Sequence, residues 1–393
     1  MKYRVYFFLF LLIPSLLAAQ SRCLFDDKLQ SVAQTTEFIE TQRKIQKHDQ
    51  ETNKSETVFL IPVVVHVLYK NQSENISNSQ ILSQINVLNE DYRLKNADTT
   101  NVEAGFSKAD VAIEFCLANR DPNGNSTNGI IRTATNIDNI GLGNQYYRVS
   151  PIWDRDHYLN IWVCDLGENL AGFAFPPGSP ADQDGVVIHY SNFGNTGNVE
   201  PNYDRGRTTT HEVGHWLNLL HPWGNSESCS TDDQIADTPL QGVIYEKCPS
   251  PPDSSCGSKD MLSNFMGYLY DRCMGNFTEG QKQRMRNAVV ASRSSLLLSD
   301  GCMPVGLTER TLSQNFNISP NPCTERTFIK LGAEAMKKPH RLKLFTLSGQ
   351  LVKAETITQQ NGYQINTSAL EKGLYFIEYQ TEDIRLSKKL VVF

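Results

Sequence analysis

The sequence predicts two folded parts in series: an α+β domain over 57–300 and a small all-β sandwich over 315–393. Three observations carry this. Apolar runs of strand length alternate with amphipathic helical stretches in the first part. Short alternating strands separated by Gly, Asn and Ser turns fill the second. Between them "GCMPVGLTERTLSQ" (301–314) has the texture of a linker. The chain's 393 residues suffice for two or three domains, each with its own core.

The elements follow in order. At the start, "MKYRVYFFLFLLIPSLLAAQSRC" sets Lys2 and Arg4 before an apolar run and then small residues, which predicts a signal peptide over 1–20 and export. The run is too short for a comfortable membrane span. Residues 21–56 are polar and read as a small helical pro-segment or a loose linker. "VFLIPVVVHVLYK" (58–70) is a buried strand. Ser77 and Gln80 have capping-box spacing, and Ile81, Leu82, Ile85, Leu88 and Tyr92 mark one face of the helix that follows. Further strands are expected at 111–118, 158–166 and 185–193, a loop-rich segment at 222–263, and a helix from Glu279 to Leu297. "FNISPNP", "RLKLFTLSGQLV", "GLYFIEYQT" and "RLSKKLVVF" supply the sandwich.

A formal charge of -6 and a pI near 5.8 argue against a nucleic-acid partner. The chemistry lies in "HEVGHWLNLLH" (211–221), which holds three of the chain's eight histidines. His211 and His215 are four residues apart, so on a helix both rings leave one face. Imidazole nitrogens suit Zn²⁺, and two on one face make half a tetrahedron. Glu212 sits beside the pair, where it can take a proton from water activated by the metal. His221 lies six residues past His215. On a continuing helix it would point about 120° or more away, given ~100° per residue. The chain must leave the helix between them, and asparagine is the best non-glycine occupant of the left-handed backbone that does so. Asn218 is therefore the expected stop.

This stretch is similar to the metzincin pattern H-E-x-x-H-x-x-G-x-x-H, with Asn218 in place of the glycine. In "NFMGYLYDRCM" (264–274), Met266 fits the methionine turn that metzincins place beneath the zinc. Tyr268 matches the tyrosine that sits beside the metal in some of them. "GRTTTHEVGHWLNLLHPWG", "DQIADTPLQ", "NFMGY" and "CMGNFTEGQKQRMR", with "IPVVVHVLY" and "DPNGNSTNGI" upstream, together resemble the pappalysin family of secreted metalloproteases over about 57–295. Gly267 departs from the many members with Asp there. The resemblance implies a metzincin-like fold, a twisted sheet plus an active-site helix. The end of the chain, through "SPNP", "LFTLSGQLV", "GLYFIEY" and "KKLVVF", resembles the C-terminal sorting domain of the type IX secretion system. That implies a Bacteroidetes-type bacterium and outer-membrane secretion machinery as a partner; a generic binding sandwich is the plain alternative.

Export implies an oxidising setting, so the nine cysteines should mostly pair, with at least one left over. The four cysteines Cys229, Cys248, Cys256 and Cys273 allow three pairings by sequence alone. The resemblance implies Cys229–Cys256 and Cys248–Cys273. Cys116 and Cys164 either bridge neighbouring strands or stay as buried thiols. Cys302 and Cys323 flank the linker as a further candidate pair. Cys23 is left as a pro-segment thiolate able to fill the open zinc position, as a cysteine switch does in relatives; a spare cysteine is the alternative. "CSTDDQIADTPLQ" (229–241) offers hard oxygens for Ca²⁺. Aligned to the family, Asp233 and Thr238 fall at calcium-ligand positions, with backbone oxygens of Asp232 and Ala236.

The functional expectation is a secreted or surface-attached zinc endopeptidase acting on protein or peptide substrates. His211, His215 and His221 would hold the zinc, Glu212 act as general base and Tyr268 steady the oxyanion. The substrate would add as a strand on the sheet edge near 185–193. Arg272 would line the pocket for the side chain after the cut and disfavour Lys and Arg there; the alternative is that it turns to solvent or pairs with Asp271. A non-catalytic adhesin on the same fold and a hydrolase of non-peptide substrates are the rival readings, and the intact Glu212 speaks against the first.

Overall fold

The computed structural model describes residues 22–49, then 57–303 except Asn144, Glu168, Asn169, Pro251 and Pro252, and 316–393 except 331–339, Ser348, 358–361 and 381–384. The expected leader at 1–20 and most of the expected linker lie outside the described residues.

Two helices come first, α1 (Phe25–Val32) and α2 (Thr36–Asp49). The apolar run forms β1 (Phe59–Tyr69), in which only Leu60 is exposed, as a strand covered on both faces requires. Helix α3 (Asn78–Tyr92) starts where the Ser77 side chain accepts from Gln80 N. Then come β2 (Ile113–Leu117), β3 (Ile130–Ala134), the short α4 (Tyr146–Val149), β4 (Leu159–Cys164), β5 (Gly172–Ala174) and β6 (Val186–His189). The sheet order is β2-β1-β4-β6-β5, with β3 pairing β1 beyond the end of β2. Every pair is parallel except β5 with β6. The strand expected at 185–193 is thus interior, and the free edge belongs to β5, which was not anticipated because three residues carry no readable alternation. That corrects the expected docking edge.

Helix α5 (Arg207–Trp216) carries the histidine pair and is buried along its whole length. Its position is set largely by polar side chains of α3. Gln84 Oε1 accepts from Gly194 N (2.6 Å) and Thr209 Oγ1 (2.9 Å), while Gln84 Nε2 donates to Gly206 O (3.1 Å). Tyr92 donates its hydroxyl to Thr210 O at 3.1 Å, and Asp91 accepts from Thr210 Oγ1 at 2.6 Å and pairs with Arg207. These groups are buried, so each bond left unmade would cost about 1–3 kcal/mol.

Among its described residues the loop-rich segment holds only two-residue strands, β7 (Glu246–Lys247), β8 (Ser254–Ser255) and β9 (Ser258–Lys259), and β10 (Tyr268–Leu269), just after it, pairs with β7. Helix α6 (Glu279–Ser292) opens with a capping box between Thr278 and Gln281, and the stretch expected to continue it breaks at Arg293 into a 3-10 turn. The strands β11 (Asn317–Ser319), β12 (Arg326–Lys330), β13 (His340–Thr346), β14 (Leu351–Ile357), β15 (Gly362–Asn366), β16 (Gly373–Gln380) and β17 (Arg385–Val392) form two antiparallel sheets, β11-β12-β15 and β14-β13-β16-β17. Phe316, Ile329, Leu344, Ile365, Ile377 and Leu390 fill the core between them.

Cys229 is bonded to Cys256 and Cys248 to Cys273. The expected pair Cys116–Cys164 does not form. Strand β1 separates β2 from β4, and Cys116 pairs in register with Pro62 of β1 whereas Val163, just before Cys164, pairs with Val67, so the two cysteines are offset both across and along the sheet, far beyond the ~7 Å Cα reach of a disulfide. Cys116 is bonded instead to Cys302, which Asn119 holds beside β2 by donating from Nδ2 to Cys302 O (3.1 Å). The expected pair Cys302–Cys323 is thereby excluded; Cys323 is a buried thiol inside the sandwich, 3.6 Å from Thr367 Oγ1.

Candidate metal centre

His211 and His215 leave the same face of α5, one turn apart. The helix ends at Leu217, and Asn218 takes φ 74°. Leu219 N closes the turn onto Gly214 O at 3.0 Å, which swings the chain back and brings His221 to the pair. His215 Nε2 then lies 3.0 Å from His211 Nε2 and 3.1 Å from His221 Nε2. Carbonyls orient the first two rings: Phe265 O stands 2.9 Å from His211 Nδ1, and Leu219 O stands 2.8 Å from His215 Nδ1. A ring that donates from Nδ1 presents a bare lone pair at Nε2. Burial, and secondarily His221, pushes both rings well below the usual imidazole range, so they are neutral. Converging lone pairs without a proton repel one another, and a cation relieves that repulsion. The donor set fits a metal ion.

The fourth side is closed by the segment before α1. Cys23 Sγ and one nitrogen of each histidine all lie within 4.8 Å of one another, forming the only cluster of three or more His, Cys, Asp or Glu donors among the described residues. Phe25 stacks on His215 with centroids 3.8 Å apart, and Asp26 reaches within 3.4 Å of His221 Nδ1. Trp223 stacks on His221 at 4.7 Å, and Tyr268 stands edge-on to the same ring at 4.9 Å. Below α5, a Cβ added at Gly214 would meet Met266 Sδ at 2.6 Å, so the helix rests directly on that methionine. Gly267 N closes the turn onto Asn264 O at 3.1 Å, which dispenses with an aspartate there.

Glu212 faces the edge strand; a Cβ on Gly172 would sit 3.0 Å from Glu212 Cγ. The Glu212 Oε2 atom is buried with no hydrogen-bond partner among the described residues, and burial pushes the carboxyl up to about 8. Along β5 the first residues of the segment run as an added parallel strand. Leu24 N donates to Gly172 O (3.3 Å), and Ala171 N donates to Arg22 O (3.0 Å).

Arg22 enters a pocket beside the metal cluster. It donates to Leu269 O (2.8 Å) and Thr208 Oγ1 (2.9 Å), stacks over Tyr203 at 3.8 Å, and comes within 3.5 Å of Asp271 Oδ1. Asp271 is fully buried and is itself held by Arg205 N (2.9 Å) and Arg207 N (3.2 Å). Arg272 does not line this pocket. It is exposed, donates to Asn202 Oδ1 at 2.8 Å and lies over Tyr270. In the one-turn 3-10 helix Asp271–Cys273 its neighbour takes the inward position. The acid in "YDRCM", Asp271, faces this pocket while Arg272 turns to solvent, so the expected repulsion of basic side chains by Arg272 has no basis in its placement.

In the acidic loop, Thr238 Oγ1 donates toward both oxygens of Asp233 (2.7 and 2.8 Å), and burial pushes that carboxyl up to about 7. Asp232 stays outside this cage, capping Gln234 N at 2.9 Å. Sequence reasoning missed Arg22, Phe25, Asp26, Trp223 and Asp271 as site residues. Arg22 and Asp271 carried a signal in their places beside Cys23 and Arg272; single aromatics carry none, because they are ordinary core.

The family described as Pregnancy-associated plasma protein-A, peptidase M43, matches residues 146–290, and the family described as Secretion system C-terminal sorting domain matches residues 317–393. An extracellular metalloprotease of Arthroderma benhamiae is 32% identical over 241 residues, covering 60% of this chain and 79% of the relative. A promirolysin variant of Tannerella forsythia is similar in structure at TM-score 0.64 and 41% identity, covering 70% of this chain and 97% of that one. Mature mirolysin of the same organism, in complex with a cleaved peptide, matches at TM-score 0.58 and 46% identity over 62% of this chain and 96% of that one.

Proposed function

The chain belongs to the pappalysin family of metalloproteases, and on that footing we propose a zinc endopeptidase over residues 57–300 that residues 22–49 hold latent. As a member, the protein is a secreted metalloendopeptidase that acts on peptide bonds. His211, His215 and His221 are the zinc ligands in this reading, supported by three convergent imidazoles with no carboxylate among them. When bound, zinc supplies Lewis acidity, polarising the scissile carbonyl and lowering the pKa of a water. Glu212 takes the proton from that water and hands it to the leaving amine. The buried, unpartnered Oε2 is the observation that carries this role. Burial raises its carboxyl to about 8, and a cation at the histidines would favour the ionised form that accepts a proton. Tyr268 steadies the developing oxyanion from its place beside His221, and Met266 floors the site.

In the latent form Cys23 would join the three histidines in holding the metal and so keep water from it. The way Arg22 and Leu24 pair with β5 is the way a substrate backbone would add to the same edge. The Arg22 guanidinium against buried Asp271 supports a preference for a basic side chain after the cut. Asp233 and Thr238, with backbone oxygens of Asp232 and Ala236, are proposed to hold Ca²⁺, supported by a buried carboxylate whose charge a hard cation would stabilise. The sorting tail supports export through an outer-membrane machinery, with a leader at 1–20 carrying the chain to it.

Glu212→Ala tests the mechanism. The processed variant should keep one zinc per chain by metal analysis and lose peptide cleavage by roughly 10⁴-fold or more, since base and water orientation go together. Near-native turnover by the zinc-loaded variant would sink it. The mutated glutamate lies in the one feature a non-catalytic adhesin has no use for, and the relatives' named activity also disfavours that reading.

A further inference from the structure

The contacts of α2 involve none of the metal cluster. Gln42 Nε2 donates to Asn218 Oδ1 at 2.9 Å, and Asn218 Nδ2 donates back to Gln42 Oε1 at 3.1 Å. Gln42 Nε2 also reaches Pro177 O at 3.3 Å. The asparagine that ends α5 in left-handed backbone, where a glycine would serve the turn as well, thus presents a side chain that a glycine lacks. The helix comes close to backbone beside this pair: a Cβ on Gly178 would meet Phe38 Cα at 2.7 Å. A carboxylate near each end meets basic or donor groups, although Lys47 and His48 also lie in its last turn. Glu37 pairs with Arg155 at 3.1 Å, Asp49 pairs with Arg284 at 3.2 Å, and Asn287 donates to Asp49 Oδ1 at 2.7 Å. Ile45 is 1% exposed beneath it.

We infer that Asn218, Pro177, Gly178, Arg155, Arg284 and Asn287 form a docking site for a helix with a central amide and a carboxylate near each end, occupied here by α2, and that this site holds residues 36–49 independently of the metal. This rests on reading residues 22–49 as a pro-segment. An isolated helix of 14 residues is marginal in water, so α2 stays helical because it is docked. Only Ala33, Gln34 and Thr35 separate it from α1, so docking keeps the Cys23 thiol at high local concentration beside the histidines. A cut in the chain beyond Asp49 leaves both anchors in place. The severed segment therefore remains bound until α2 disengages.

Amide hydrogen exchange on the full chain, carrying Glu212→Ala to prevent self-cleavage, tests this. Replacing Cys23 with Ala should lower protection in α1 by about tenfold or more while α2 changes less than about twofold. Gln42→Glu keeps helix propensity but sets a carboxylate against Asn218 Oδ1 and Pro177 O, so α2 protection should fall by about tenfold. Asn218→Gly should produce a similar loss, and the two together should lose little more than either alone. Release of α1 and α2 together on Cys23→Ala, full α2 protection in Gln42→Glu, or simple additivity of the two changes would each overturn the independent anchor. Failure of the latency reading would show separately, as an inactive Cys23→Ala chain with Glu212 intact.

Discussion

The metal side of the site and its peptide side are built on opposite plans. On the metal side, one eleven-residue stretch supplies all three histidines, and nearby carbonyls and stacked rings fix them in a dry pocket. On the peptide side, the edge strand Gly172–Ala174, Tyr203, Thr208 and Asp271 come from separate segments and bind through backbone groups, a hydroxyl, an aromatic face and one buried carboxylate. The first plan suits a permanent ligand that must not move. The second suits an exchangeable one, because an occupant is recognised by main-chain pairing and a charge, and any extended chain with a basic residue can replace Arg22.

The largest effect should come from unlinking the two sides at the residue that joins them. Cys23→Ala in the otherwise intact chain should yield a precursor that cuts itself during expression, while the parent stays whole; mass spectrometry of both reads the difference. A mutant precursor as stable and latent as its parent would remove Cys23 from the metal. A smaller effect is expected on the peptide side. Asp271→Asn keeps an acceptor for Arg205 N and Arg207 N but loses the charge, so the preference for Arg over Ala next to the cut should drop by about tenfold in kcat/KM. Cleavage-site profiles that do not change would place the specificity elsewhere. The smallest concerns the metal side's own turn. Asn218→Val forces a β-branched residue to φ 74°, costing about 1–2 kcal/mol, and zinc affinity should fall by about tenfold, whereas Asn218→Gly should bind zinc normally. Equal affinities would show that Leu219 and Gly214 make the turn unaided.

The same division explains what could be read from the sequence. The histidine stretch was legible because helical spacing and a left-handed stop are local rules, and Asn218 does adopt positive φ. Met266 and Tyr268 were found through resemblance rather than physics, since a lone Met or Tyr is ordinary core. The β1 strand and the cap at Ser77 were legible for the same local reasons. Partners set by sheet order were not. Cys116 finds Cys302 because β1 stands between β2 and β4, and no spacing in the chain encodes that. The edge at β5 escaped because three residues show no period, and Asp271 was overlooked because which of two adjacent residues in a one-turn helix faces inward depends on the whole fold.

The central claim is that the three histidines hold a zinc ion on which peptide cleavage depends. Its most direct measurement is a peptide-library digest by the processed protein before and after a chelator, with zinc then restored. The account predicts cleavage next to basic residues, loss of turnover on chelation in step with loss of bound zinc, and recovery on adding zinc back. Cleavage that persists at full rate in protein shown to be metal-free would contradict it.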